Sequence, residues 1–149
     1  MIFKVLVVDD TIEMHDLFTS LLESINEDIV GSGHSEKFEL EIDHCYQGEE
    51  AVSMVFESAK SQEPYALVYM DINMPPGIDG IESAKQIREV LPDTNFVFCT
   101  GYTSYTWQSI YDTFGKNDRI LYLDKPFCDL SLKQLTLYLL TRFEHEQAA

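Results

Sequence analysis

Short apolar runs alternate with amphipathic stretches five times along this chain, and this alternation constrains the fold more than any other feature. Residues 3–8 are nearly all apolar and rich in β-branched side chains, which is typical of a strand buried on both faces. Between residues 14 and 25, apolar side chains recur at helical spacing. Further strands are predicted at residues 38–42, 66–70, 96–99 and 120–123, each followed by a helix.

Strict alternation of five strands with five helices predicts an α/β fold, a doubly wound parallel sheet with helices on both faces. Its strand order is expected to be 2-1-3-4-5, as in flavodoxin-like proteins. Alternating charged residues place the second strand near a sheet edge, and glycine and serine mark residues 26–37 as a long loop. Thr11 is the predicted N-cap of the first helix.

The chain has 149 residues, which allows one domain, assigned to residues 1–143. Residues 144–149 are expected to be a C-terminal tail or the start of a linker to an absent output domain. The last helix reaches them without a glycine or proline stop, which hints at a longer natural chain, although a stand-alone domain stays open.

Composition narrows the classes of function. The chain has 26 Asp and Glu against 10 Lys and Arg, a formal net charge of −16. This acidity argues against direct binding to nucleic acid or to an anionic membrane. The sequence contains no apolar run long enough to span a bilayer, and its start leaves no room for a signal peptide. Three well-separated cysteines form neither a disulfide framework nor a zinc pattern, so a cytoplasmic location is expected.

Polar side chains interrupt the apolar pattern where the predicted strands end. Asp9 and Asp10 follow the first strand, Asp71 the third, Thr100 the fourth and Lys125 the fifth. In the order 2-1-3-4-5 the first and third strands are neighbours, and ligands bind at the carboxyl edge of such sheets. We therefore expect the three carboxylates to converge in one cleft.

Three clustered carboxylates repel one another unless a cation lies among them. Oxygen ligands suit Mg²⁺, and Lys125 supplies a second positive charge. One carboxylate is then left to react, and a carboxylate that attacks phosphorus forms an aspartyl phosphate. The Thr100 hydroxyl could donate to a phosphoryl oxygen. The cluster is therefore interpreted as a magnesium site for phosphoryl transfer.

At this point the chain resembles the receiver domains of bacterial two-component response regulators. The resemblance covers residues 3 to about 143, and the matching segments occur in the order found in that family. They are Val5-Leu6-Val7-Val8-Asp9-Asp10, Met70-Asp71-Ile72-Asn73-Met74-Pro75, Asp79-Gly80, Cys99-Thr100-Gly101 and Asp124-Lys125-Pro126-Phe127.

The resemblance implies a role for each matching residue. Asp71 would be the phosphoacceptor, Asp9 and Asp10 the acidic pair that binds Mg²⁺, and Asn73 a metal ligand through its backbone carbonyl. Thr100 would be the switch hydroxyl, and Lys125 would pair with the phosphoryl group through a cis peptide bond to Pro126. The aromatic switch residue, whose ring turns inward in this family, would be Tyr122. Asn73 and Tyr102 match positions that tune phosphoryl lifetime, and we expect the bulky Tyr102 to slow water attack.

The loop after Asp71 departs from the commonest pattern of the family. Three residues, Pro76-Gly77-Ile78, separate Met74-Pro75 from Asp79-Gly80, where two are usual. This Met-Pro-Pro-Gly-x-Asp-Gly variant is similar to receivers attached to diguanylate cyclase, phosphodiesterase or kinase output modules. The extra residue lies beside the phosphorylation loop and bears on its geometry and its partner contacts.

Two functions are weighed. In the first, a histidine kinase or phosphotransfer protein phosphorylates Asp71, and contacts change on the face of the fourth helix, fifth strand and fifth helix. That face would engage an output domain, a target protein or a second copy of the chain, and the protein would turn over no metabolite. The alternative is a haloacid-dehalogenase-type phosphatase with Asp71 as its nucleophile. Such enzymes need an acid/base Asp two residues later, where this chain has Asn73. His15, on the first helix, is predicted to be a surface residue and not a phosphodonor.

Overall fold

Strands and helices alternate along the chain around one parallel sheet. The structure, a computed structural model, describes residues 1–33 and 37–148. In chain order its elements are β1 (Ile2–Val8), α1 (Ile12–Gly31), β2 (Glu39–Cys45), α2 (Gly48–Lys60), β3 (Leu67–Met70), α3 (Gly80–Val90), β4 (Phe96–Thr100), α4 (Trp107–Phe114), β5 (Ile120–Asp124) and α5 (Asp129–Ala148).

The five strands in the described residues pair in the order β2-β1-β3-β4-β5, all of them parallel. This order confirms the predicted doubly wound α/β fold of the flavodoxin-like type. The edge position of β2 is also as predicted, and its Glu39 and Glu41 face solvent. Because β1 and β3 are neighbours in the centre of the sheet, their carboxyl ends lie side by side.

The sheet is buried between two apolar layers. Successive side chains of a strand point to opposite faces, so Val5 and Val7 of β1 enter one layer and Leu6 and Val8 the other. The first layer is completed by α1 and α5, and the second by α2, α3 and α4, through Phe18, Leu22, Leu132, Leu139, Val55, Ile81, Ile87 and Ile110. With both faces covered, the strand ends are where polar side chains can gather.

Helix α1 is longer than the sequence predicts. The predicted loop at residues 26–37 is wrong for its first part, because α1 continues to Gly31. Ile29 packs against the core from this extra segment. The Asn26 side chain accepts from the backbone N–H of Phe38 at 2.8 Å and donates to its carbonyl at 2.6 Å. These contacts offset the weak helical signal of the segment. Residues 34–36 of the predicted loop lie outside the described residues.

The last two helices end differently. Gly115, with a φ of 68°, stops α4 at Phe114 as predicted. Helix α5 runs as far as Ala148 without a glycine stop. Residues 144–148 therefore belong to the last helix, and Glu146 accepts from Arg119 Nη1 at 2.9 Å. None of the helices in the described residues combines the length and apolar character needed to cross a membrane.

Candidate functional site

Three carboxylates meet at the carboxyl edge of the sheet. Asp9 and Asp10 follow β1, and Asp71 follows β3. Val8 lies opposite Met70, and the backbone N–H of Asp71 donates to the Val8 carbonyl at 2.9 Å. One carboxylate oxygen of each aspartate lies within 4.8 Å of one from each of the others. The structure therefore brings together the acidic residues that the sequence singled out.

Lys125 reaches this cluster from the end of β5. Its backbone N–H donates to the Thr100 carbonyl at 3.0 Å, which places the residue beside β4. The ammonium Nζ lies 2.6 Å from Asp9 Oδ2 and 3.6 Å from Asp71 Oδ2. The peptide bond from Lys125 to Pro126 is cis, in agreement with the resemblance. One lysine thus bridges two of the three carboxylates.

Burial governs the charge state of the two groups that face each other here. It raises the pKa of Asp71 to about 6; the Lys125 charge opposes this shift and the Asp9 charge adds to it. Burial also lowers the pKa of Lys125, but the hydrogen bond to Asp9 and the charges of Asp71 and Asp9 outweigh it and raise that pKa overall. Lys125 therefore stays charged at neutral pH, and its charge does not fully stabilise the Asp71 carboxylate.

Asp9 is held by the chain that follows it. The backbone N–H and the hydroxyl of Thr11 both donate to Asp9 Oδ1 at 2.9 Å. Thr11 occupies the predicted N-cap position of α1, but its hydroxyl makes no capping bond to the helix because it is used on Asp9. Asp9 is 2% exposed, whereas Asp10 is exposed. The acidic pair thus contains one fixed carboxylate and one that faces solvent.

His15 supports this site in a way that the sequence did not indicate. The predicted surface position is wrong, because His15 is 3% exposed. Its Nε2 is hydrogen-bonded to the Asp9 carbonyl at 2.8 Å, and its Nδ1 lies 2.7 Å from Nδ1 of His44 on β2. His15 is therefore a buried histidine with both ring nitrogens occupied, one by the Asp9 carbonyl and one by His44. A contact between positions 29 residues apart leaves no signal in the local pattern.

Thr100 and Asn73 share one acceptor beside the cluster. The Thr100 hydroxyl donates to the backbone carbonyl of Tyr102 at 2.9 Å, and the Asn73 side-chain amide donates to the same oxygen. The Asn73 backbone N–H approaches Asp71 Oδ1 at 3.4 Å. The Tyr102 ring is 78% exposed. In this arrangement the Thr100 hydroxyl is engaged by its own loop and not by the Asp71 carboxylate.

Tyr122 lies on β5, the strand next to the one that ends at Thr100. It pairs with Phe98, two residues before Thr100, and the two rings have centroids 5.6 Å apart. The side chain of Tyr122 is 42% exposed, and partial burial raises the pKa of its hydroxyl. Its ring is therefore in an outward position, from which the inward turn implied by the resemblance could occur.

The loop between Asp71 and α3 is fixed at its far end by Asp79 and Gly80. Asp79 Oδ1 caps α3 by accepting from the Glu82 backbone N–H at 2.8 Å. A side chain at Gly80 would collide with the backbone carbonyl of Asp71, so the Asp-Gly pair is required where the loop returns to the site. Tyr105, which the sequence reasoning did not single out, donates its hydroxyl to Asp79 Oδ2 at 2.6 Å.

The donor set fits a hard divalent cation. Three carboxylates within 4.8 Å of one another face a single lysine in the cluster. Burial raises the pKa of Asp71 in spite of this lysine, so the buried carboxylate would gain from a further positive charge. Carboxylate oxygens with room for water are the ligands that Mg²⁺ takes in proteins. Asp9, Asp10 and Asp71 are therefore suitable ligands for such an ion.

A family model confirms the class of protein that this fold and site define. The model for the response regulator receiver domain matches residues 5–136, a stretch that includes every strand-end residue described above. The chain therefore belongs to the family of response regulator receiver domains. The response regulator receiver protein CpdR of Brucella abortus (strain 2308) is 36% identical over 66 residues, which cover 44% of this chain. The match spans only 52% of the length of that relative.

Solved structures of receiver domains share the fold over nearly the whole chain. A CheY-like receiver domain protein from Methanospirillum hungatei JF-1 has a TM-score of 0.70 at 22% identity, covering 98% of this chain and 99% of that one. The N-terminal domain of a response regulator/sensory box/GGDEF 3-domain protein from Carboxydothermus hydrogenoformans has a TM-score of 0.68 at 20% identity, covering 96% and 98%. A chain from the complex of histidine kinase ThkA with response regulator protein TrrA has a TM-score of 0.63 at 30% identity, covering 93% and 98%.

Proposed function

We propose that this receiver domain is a phospho-acceptor switch that takes a phosphoryl group onto Asp71 from a histidine kinase or a phosphotransfer protein. The observation that carries the proposal is the setting of the Asp71 carboxylate. It lies within 4.8 Å of two other carboxylates and 3.6 Å from Lys125 Nζ. A similar solved structure pairs a response regulator with a histidine kinase, which supports a kinase as the donor.

In the transfer step an Asp71 oxygen attacks phosphorus and the bond from phosphorus to the donor nitrogen breaks. The electron pair of that bond leaves with the donor imidazole. Mg²⁺, when held by Asp9, Asp10, Asp71 and the Asn73 carbonyl, would neutralise charge on the phosphoryl oxygens. Lys125 is close enough to Asp71 Oδ2 to pair with an oxygen of the new phosphoryl group. Asp9, fixed by Thr11, keeps that lysine oriented.

The added phosphoryl group brings about 1.5–2 negative charges to the site. This charge affects distant contacts only if it shifts the equilibrium between two conformations of some part of the domain. In our proposal, Thr100 and Tyr122 are the residues that change conformation. The Thr100 hydroxyl would leave the Tyr102 carbonyl and donate to a phosphoryl oxygen, and the Tyr122 ring would turn inward behind it.

The output of the switch would be a changed set of contacts on α4, β5 and α5. Trp107 and Tyr111 of α4 stack with ring centroids 5.3 Å apart, and the Trp107 side chain is 77% exposed. Tyr138 of α5 is 56% exposed. An output domain, a target protein or a second copy of the chain would bind this face, so the chain would catalyse its own phosphorylation and dephosphorylation without turning over a metabolite.

The Met74-Pro75-Pro76-Gly77-Ile78-Asp79-Gly80 loop supports a narrower assignment. We assign the chain to the receivers with this variant loop, which resemble those attached to diguanylate cyclase, phosphodiesterase or kinase modules. The extra residue is accommodated by α2, whose Glu49 Oε1 accepts from the Ile78 backbone N–H at 2.7 Å. This contact leaves Asp79 able to cap α3 and Gly80 able to approach Asp71.

The phosphatase alternative is less well supported. Its acid/base aspartate would stand at position 73, where the side chain is an amide that donates to the Tyr102 carbonyl. An amide cannot transfer the proton that hydrolysis needs. A phosphoryl group on Asp71 would therefore persist long enough to act as a signal.

Incubation with acetyl phosphate and Mg²⁺ tests the proposal. We expect the intact mass to rise by one phosphoryl group, which acid treatment or hydroxylamine removes. Asp71→Asn should gain nothing, and Asp112→Asn, an exposed change on α4, should behave as the natural chain does. A steady-state assay with a generic phosphate ester separates the alternatives, because sustained turnover would support the phosphatase and contradict the switch.

A further inference from the structure

Two loops at the carboxyl edge of the sheet are tied together at two points. The first loop follows β3 and contains Asn73 and Asp79; the second follows β4 and contains Tyr102 and Tyr105. The Asn73 side-chain amide donates to the Tyr102 carbonyl, and the Tyr105 hydroxyl donates to Asp79 Oδ2 at 2.6 Å. The second contact lies outside the phosphoryl site, and none of the roles assigned above uses it.

Asp79 is a firm anchor for this contact. Its Oδ1 accepts from the Glu82 backbone N–H at 2.8 Å, and its carbonyl accepts from the backbone N–H of Ser83 at 3.0 Å and the Ser83 hydroxyl at 2.8 Å. Both the backbone and one side-chain oxygen of Asp79 are therefore fixed at the start of α3. The other side-chain oxygen is directed at Tyr105, and hydrogen bonds to a carboxylate are among the stronger ones in proteins.

Tyr105 connects Asp79 to the loop that follows β4. Its ring packs against the core layer beneath α2, α3 and α4, and its backbone N–H donates to the Thr103 hydroxyl at 3.1 Å. The next residue, Thr106, is the N-cap of α4. The loop is thus held at its start by the Thr100–Tyr102 hydrogen bond and at its end by Tyr105. The hydrogen bond and burial raise the pKa of Tyr105 to about 12, so the hydroxyl remains a donor at neutral pH.

We propose that Tyr105 is a positioning residue that clamps the loop of residues 101–106 to Asp79 and so favours the arrangement in which the Thr100 hydroxyl points away from Asp71. The inference rests on the proposed phospho-acceptor function and adds a residue to it. Release of the clamp would let the loop move with Thr100 when the phosphoryl group arrives. The strength of the clamp would therefore determine how much free energy the phosphoryl group must supply to move this loop and the start of α4.

Tyr105→Phe tests the clamp because it removes only the hydroxyl. Trp107 is the single tryptophan of the chain and lies two residues after Tyr105, so its fluorescence reports on this loop. We would titrate the full chain with beryllofluoride, a phosphoryl analogue, in the presence of Mg²⁺. Loss of one hydrogen bond to a carboxylate should tighten the apparent binding about 3- to 10-fold. Tyr65→Phe is the matched control, because it removes a hydroxyl that donates to Asp43 Oδ2 at 2.6 Å away from both loops, and it should bind as the natural chain does.

A double-mutant cycle separates the clamp from a general loss of structure. Asp79→Ser keeps an oxygen that can cap α3 but leaves no second polar atom for Tyr105. The effect of Tyr105→Phe should therefore disappear in the Asp79→Ser background. Equal or weaker binding by Tyr105→Phe, or the same gain in both backgrounds, would overturn the clamp while the natural chain still bound the analogue. If the natural chain bound no analogue and took no phosphate from acetyl phosphate, the phospho-acceptor function itself would be refuted, and the clamp with it.

Discussion

The ammonium of Lys125 lies 2.6 Å from Asp9 Oδ2, a residue 116 positions earlier in the chain. Its distance to Asp71 Oδ2 is 3.6 Å, so its shorter contact is with the acidic pair and not with the proposed phosphoacceptor. Lys125 can therefore serve both carboxylates without moving far. A phosphoryl group on Asp71 would draw it closer to that side.

Removal of this lysine should weaken the fold as well as the chemistry. In Lys125→Met the buried Asp9 and the largely buried Asp71 lose their shared cation, so the free energy of unfolding should fall by about 3 kcal/mol in metal-free buffer at pH 7.5. Urea unfolding measures this change. Lys133→Met is the control, because the Lys133–Asp28 pair at 2.6 Å is more exposed and should contribute less than about 1 kcal/mol. Equal effects of the two variants would contradict the bridging role.

The raised pKa of Asp71 predicts a pH-dependent stability difference. Folding raises this pKa from 3.8 to about 6, so the folded state binds the proton more tightly than the unfolded chain. The ionised carboxylate then costs roughly 3 kcal/mol at neutral pH, and the cost is relieved as pH falls through about 6. Asp71→Asn should therefore unfold at a higher temperature than the natural chain at pH 7.5 without metal. The difference in unfolding temperature between Asp71→Asn and the natural chain should shrink at pH 5. A difference that stayed constant from pH 7.5 to pH 5 would refute the raised pKa of Asp71.

Magnesium should reverse the order of stability of the natural chain and Asp71→Asn. A cation that binds the folded state alone raises the unfolding temperature with its concentration. We expect Mg²⁺ to stabilise the natural chain clearly and to have much less effect on Asp10→Asn or Asp71→Asn, since each loses a carboxylate of the cluster. Asp112→Asn on α4 should respond as the natural chain does. Thermal unfolding with and without Mg²⁺ measures the shift, and an equal shift in every variant would place the ion elsewhere.

The Tyr102 ring should lengthen the life of the phosphoryl group. In Tyr102→Ala the backbone carbonyl that accepts from Asn73 and Thr100 is retained, so the change isolates the exposed ring. We expect phosphate to be lost faster, because the ring no longer hinders water at the edge of the site. The decay of incorporated label after removal of the donor gives the rate. An unchanged or slower rate would show that the ring has no shielding role.

The sequence predicted the parts of this molecule that depend on local pattern. Apolar strands that stop abruptly at Asp9, Asp71 and Lys125 are visible in the chain because the periodicity changes there. The parallel order of the strands then places those residues together, and the structure agrees. The stop of α4 at Gly115 was predictable for the same reason, since glycine readily adopts a positive φ.

Features that depend on contacts between distant residues were not predictable from the pattern. His15 lies on α1 among helical residues, yet its burial depends on the Asp9 carbonyl and on His44. The extra turns of α1 depend on Ile29 reaching the core and on Asn26 holding Phe38. Both cases show tertiary contacts overriding a weak local preference. The contact between Tyr105 and Asp79 belongs to the same class, because 26 positions separate the two residues.

Of the three adjacent carboxylates, Asp71 is the one that we propose accepts the phosphoryl group. Borohydride reduction after treatment with acetyl phosphate and Mg²⁺ tests it most directly, since the reagent converts an aspartyl phosphate to homoserine that peptide sequencing can locate. We predict homoserine at position 71 and unchanged aspartate at positions 9 and 10. Homoserine at position 9 or 10, with Asp71 intact, would contradict the assignment of Asp71 as the phosphoacceptor.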